Sequence, residues 1–156
     1  MKFYLIQSTE YKANEPSRFI MDENGKYYGC QGVDGCYARI HNYPANPEYW
    51  KTATCADADR YFSVWEKELT IEDVQKFDEL TAEYIRLDEE TPSFAEPHPG
   101  SHRDDYKSKK IYEAAVNEWL ERYMTWQKES GIAEYTTRRQ AVNKERTELF
   151  IELREK

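Results

Sequence analysis

Near residue 55 the hydrophobic pattern of this chain changes period, and that change limits its architecture more than any other feature. Before it, apolar residues come in short runs rich in aromatic and β-branched side chains. "KFYLIQS" (2–8) is one such run, and "RFIMDENGKYYGC" (18–30) holds two more around Asp22–Glu23–Asn24–Gly25. Asn-Gly supplies positive φ at little cost, so the spacing predicts a hairpin. "CYARIHNY" (36–43) reads as a third strand and "YPANPEYW" (43–50) as a Pro-punctuated loop. Gly29, Gly32 and Gly35 do not follow a phosphate-cradling pattern and read as a turn.

From Thr54 onward the pattern reads as helical. Thr54 or Asp57 is a candidate cap for a short helix carrying Tyr61, Phe62, Val64 and Trp65. Thr70 with Asp73 looks like a capping box for the next helix, whose Ile71, Val74, Phe77, Leu80, Tyr84 and Ile85 share one arc. "TPSFAEPHPGSHRDD" (91–105), with three prolines, reads as a loop. A third helix is expected from about 105 to 130, with the stripe Tyr112, Ala115, Val116, Trp119, Tyr123 and Trp126 and a stop at Gly131. A last helix, about 136–153, carries the thinner stripe Val142, Leu149 and Leu153. Strands first and helices after imply α+β: a small antiparallel sheet (about 2–42) packed on a helical hairpin or bundle (about 56–153). At 156 residues the chain is read as a single domain, β- and loop-rich over 1–55 and helical over 56–156.

Composition matters at two points. Charged residues are 33% of the chain and apolar ones 39%, so the core must draw on its 13 Tyr, 6 Phe and 4 Trp. The net charge is −8, which argues against a general nucleic-acid-binding surface. No apolar run reaches the roughly 18 residues of a membrane span, and "MKFYLIQSTEYK" lacks the features of a signal peptide. Three cysteines cannot form a fully paired disulfide framework, so a cytoplasmic location is expected.

Cys30, Cys36, His41 and Cys55 have the donor types of a zinc site, but the pattern C-x5-C-x4-H-x13-C lacks the tight knuckle of structural zinc. His98 and His102 are four apart, yet Pro97, Pro99 and Gly100 break any regular helix turn there. A Cys–His nucleophile from the same cysteines and His41 is chemically open, although no cysteine sits in a marked activating context apart from Cys55, near an expected helix start. The chain contains no nucleophile elbow and no P-loop. The expectation is a protein that is not an enzyme and carries no cofactor and no metal.

"EKELTIEDVQKFDELTAEYIRLDEE" (66–90) holds ten acidic and three basic residues, a net charge of −7 within a chain of −8. On a helix, Glu72, Glu79, Glu83 and Glu90 fall within about 40° of one line, a stripe about 27 Å long. Glu72–Lys76, Glu83–Arg86 and Arg86–Glu90 are spaced as favourable helical pairs that offset part of its charge. Two basic segments could answer it: Lys107, Lys109 and Lys110 in "RDDYKSKK" (103–110), and Arg138, Arg139, Lys144 and Arg146 around the last helix. In composition the chain resembles small acidic proteins of phages and mobile elements, anti-CRISPR or DNA-mimic in type, that block nucleic-acid-handling host machinery. That resemblance implies a binding protein whose four glutamates meet a basic surface on a partner protein, with no direct nucleic-acid or membrane binding. A small Cys/His enzyme or zinc-stabilised protein and a homo-oligomeric structural protein, such as a homodimer, are the alternatives.

Overall fold

The computed structural model describes residues 1–9, 16–30, 46–52 and 61–156. Strands β1 (Lys2–Ser8), β2 (Arg18–Asp22), β3 (Tyr27–Tyr28) and β4 (Phe62–Glu68) form one sheet in the order β3-β2-β1-β4. Every neighbouring pair is antiparallel. The helices are α1 (Pro47–Thr52), α2 (Ile71–Glu90), α3 (Lys109–Ser130) and α4 (Ile132–Glu155), with a 3₁₀ segment at Pro99–Asp105. The α+β architecture is thus the one the change of period implies.

The expected hairpin lies between β2 and β3, with Gly25 at φ +84°. Asp22 holds the turn together: Oδ1 accepts from the backbone N–H of Asn24 and of Lys26, both at 2.9 Å, and Oδ2 from the Tyr28 hydroxyl at 3.1 Å. Alternation along β1 gives the sheet two buried faces. Phe3 and Leu5, with Ile20 and Tyr28, meet Val74 and Phe77 of α2 and Phe150 and Leu153 of α4. Ile6, with Phe19, Met21 and Phe62, packs around Trp50 of α1, which is 2% exposed. Tyr27 Oη accepts from Trp50 Nε1 at 3.1 Å, so the indole N–H is satisfied inside that second core.

Two expectations need correction here. The short helix carrying Tyr61, Phe62, Val64 and Trp65 is instead β4, paired with β1 from Lys2↔Glu68 to Ser8↔Phe62. Apolar residues at 61, 62, 64 and 65 satisfy helical spacing and strand alternation equally, and the free edge of β1 decides between them. The segment 43–50 was expected to be loop throughout, yet Pro47–Thr52 is a helical turn whose tryptophan fills a core. The third strand expected at 36–43 and the caps at Thr54 and Asp57 lie outside the described residues.

The helical part is α2 paired with α4 across the sheet. Gly131, in the left-handed region at φ +70°, ends α3 and starts α4 at Ile132, four residues earlier than the stripe suggested. None of α3's 22 residues is buried. Its aromatic stripe is half-covered by the preceding strap, residues 91–106. Phe94 packs against Trp119, Tyr123 and Trp126, with ring centroids 5.3–5.8 Å apart. Glu96 fixes the strap at its carbonyl, which accepts from Trp119 Nε1 at 3.1 Å, and at its carboxylate, which takes Arg122 Nε at 2.9 and 3.0 Å.

One residue couples both long helices to the sheet. Gly29, at φ +70° just past β3, donates its N–H to Asp78 Oδ1 of α2 at 2.8 Å, and its carbonyl accepts from Arg146 Nη2 of α4 at 2.6 Å. A Cβ on Gly29 would lie 2.1 Å from Phe77 Cε1, so the helix packs directly against bare backbone. Arg146 also donates from Nη2 to the Arg18 carbonyl and from Nε to Thr81 Oγ1, each at 2.6 Å, and lies 4.5 Å above the Phe77 ring. Arg146, which the sequence groups with a surface basic cluster, is therefore a core residue, 4% exposed. Burial lowers its pKa to about 10, which leaves it charged at neutral pH.

Candidate partner-binding face

The acidic stripe rests on α2, and the capping expectation for that helix holds: Thr70 Oγ1 accepts from the Asp73 N–H at 3.3 Å. Val74, Phe77, Leu80, Thr81 and Leu87 are buried, so the helix's orientation is fixed by what lies under it. Glu72, Glu79, Glu83 and Glu90 are all exposed on the opposite side. The structure therefore brings the four glutamates onto one solvent-facing line.

The helix divides its acids by chemistry. Each of its three aspartates is engaged by another part of the chain. Asp73 Oδ2 lies 3.0 Å from Lys156 Nζ, Asp88 Oδ1 lies 2.6 Å from Arg139 Nη1, and Asp78 takes the Gly29 N–H. The hydrogen bond from Lys156 holds the Asp73 carboxyl below its ordinary pKa. Of the stripe glutamates, Glu90 pairs with Arg86 at 3.0 Å. The side chains of Glu72, Glu79 and Glu83 form no ion pair or hydrogen bond among the described residues; the expected pairs Glu72–Lys76 and Glu83–Arg86 do not form. Cations were expected to answer the stripe, and they do reach α2, but at its flanking aspartates. Lys144 turns to Glu148 at 3.8 Å and Lys109 to Glu113 at 3.9 Å, each within its own helix.

The thiol and histidine candidates give a different picture. Cys30 is buried, and its thiol is pushed up to about 11, chiefly by desolvation, so it is protonated and a poor nucleophile at neutral pH. Cys36, His41 and Cys55 lie outside the described residues. His98 Nδ1 accepts from the Gly100 N–H at 2.8 Å while its ring packs on Trp119 at 4.8 Å, and His102 lies 3.8 Å from Asp105. Both therefore have structural partners, and no group of three or more His, Cys, Asp or Glu is arranged to hold a metal ion among the described residues. Among those residues no helix is long and apolar enough to cross a membrane.

The residues that sequence reasoning missed belong to the support of this face rather than to the face itself. Arg146 sits at the four-residue step after Val142 and seven before Leu153, inside the apolar stripe of α4. That position was the available signal for its burial. No family model, no curated protein and no solved structure matches this chain.

Proposed function

We propose that the chain is a non-catalytic binding protein that sets the glutamate line of α2 against a Lys/Arg-rich surface of another protein, one that handles nucleic acid. The observation that carries this reading is the division of acids on α2. The aspartates are neutralised or capped from within the chain, while Glu72, Glu79 and Glu83 stand exposed and unpaired among the described residues. Like charges four apart, as at Glu79 and Glu83, cost a helix a few tenths of a kcal/mol, so that pair does nothing for stability. Against a basic surface the same charges raise association rate and specificity, with an effect that falls as salt rises. A protein of this kind acts by occupying the surface, in the manner of the inhibitors its composition resembles, and a cytoplasmic setting suits its buried thiol.

The test uses affinity capture from host extract with the parent and with the variant Glu72→Lys, Glu79→Lys, Glu83→Lys, Glu90→Lys. A nucleic-acid-handling protein held by the parent, released by salt or by added duplex DNA, and lost with the variant is the expected result. The four side chains lie away from the core, so the variant should melt within a few degrees of the parent. Equal retention of the same protein by both chains would refute the reading.

A further inference from the structure

Three of the six large apolar residues exposed among the described residues, Ile111, Leu120 and Met124, lie on α3, none of whose residues is fully buried. Leu120 is 41% and Met124 56% exposed. Asn117, Leu120, Met124 and Gln127 recur at alternating steps of three and four and so share one line, clear of the aromatic stripe that the strap covers. Where that line reaches the joint at Gly131, a groove of about 880 Å³ opens between the helices, lined by Met124, Gln127 and Lys128 from α3 and by Ile132, Ala133 and Thr137 from α4.

Charge along the line selects what fits there. Glu121 and Lys128 lie seven residues apart on the same flank of the Leu120–Met124 line. Both are exposed, and neither has an ion pair among the described residues. In an antiparallel helix pair about a two-fold axis, this flank of one helix faces the same flank of the other. Glu121 of one copy then meets Lys128 of the second, and the contact is made twice. A parallel pair would instead set Glu121 near the uncharged flank that holds Val116 and Tyr123. The pattern is self-complementary in one direction only.

We propose that this face of α3, with the groove at the α3–α4 joint, is a self-association surface that takes a second copy of the chain in antiparallel register centred near Met124. In that register Met124 packs on its own counterpart. Leu120 approaches the groove between Lys128 and Ile132 of the second copy. The apolar strip is narrow, so the dimer belongs to the weak, concentration-dependent class. It involves neither α2 nor its glutamates and stands independently of the proposed partner.

Sedimentation equilibrium of the purified chain, from about 1 µM to about 1 mM, tests this. The parent should move from one-chain to two-chain mass across that range and dissociate on added salt, a result that needs no variant. Glu121→Lys and Lys128→Glu should each weaken the dimer at least about tenfold, since each reversal turns two attractions into two repulsions. The double variant should restore association to near the parent value. Circular dichroism should show all three variants folded, because both side chains point to solvent. A parent of one-chain mass up to about 1 mM overturns the proposal, as does a double variant no better than the single ones.

Discussion

Replacing Arg146 by methionine keeps most of the side chain's length and removes its charge and all of its donors. Two backbone carbonyls, of Arg18 and Gly29, then lose a donor at 2.6 Å. The Thr81 hydroxyl keeps a partner, since it donates to the Phe77 carbonyl at 3.0 Å. Leaving the buried Gly29 carbonyl unsatisfied costs about 1–3 kcal/mol, and losing the part-buried bond to the Arg18 carbonyl adds about 0.5–1.5 kcal/mol. The lost contact of the guanidinium with the Phe77 ring adds about 0.5–2 kcal/mol. Release from burying a cation without a carboxylate partner works in the opposite direction. We expect a net loss of about 2–5 kcal/mol, a large share of the roughly 5–15 kcal/mol that holds a domain of this kind. Urea unfolding, with the midpoint shift read at a common slope, measures it. Arg139→Met is the control, because it removes one partly exposed ion pair to Asp88 and should cost no more than about 1 kcal/mol. If Arg146→Met costs no more than this control, Arg146 does not clamp the helices to the sheet.

Two further outcomes follow from the same region. Gly29→Ala should destabilise by more than about 2 kcal/mol, because it combines left-handed strain with a methyl group 2.1 Å from Phe77 Cε1; Gly131→Ala, at the same φ but with nothing within 4 Å, should lose only about 1–2 kcal/mol, as urea midpoints will show. Peptide mass spectrometry after iodoacetamide treatment should find Cys30 unlabelled in the folded protein near pH 8 and labelled in urea. Because the folded state holds this thiol proton more tightly than the unfolded state does, the associated stability is complete below the ordinary value of 9.0 and is lost as pH rises through about 11, so native labelling should appear only there. Rapid native labelling near pH 8 would show that the thiol is not held as described.

Local chemistry made the elements themselves legible in the sequence. Asn24–Gly25 marked the β2–β3 turn, Thr70 and Asp73 marked the start of α2, and Gly131 marked the end of α3, each acting within a few residues of itself. The apolar arc of α2 also placed the four glutamates on the far side of that helix, where they lie. What escaped the sequence depends on distant partners. The run from Phe62 to Trp65 fits either period, and only pairing with β1 makes it a strand. Arg146 reads as one more surface cation until its acceptors, up to 128 residues away, are in place. Which acids of α2 are neutralised could not be foreseen either, because the answer lies in where α4 crosses it. Period alone also left open what covers α3, since a stripe of aromatics does not say whether a core or a strap lies against it.

The clamp at Gly29 has a consequence for the order in which the protein is made. Its carbonyl waits for a donor that lies 117 residues further along the chain. At a synthesis rate of about 5–20 residues per second, Gly29 is made about 6–23 s before Arg146. Hairpins close in microseconds, so throughout that interval β2 and β3 can pair while the part of their helical face that Phe150 and Leu153 cover stays open. The long wait makes the arrival of α4 the event that completes the fold.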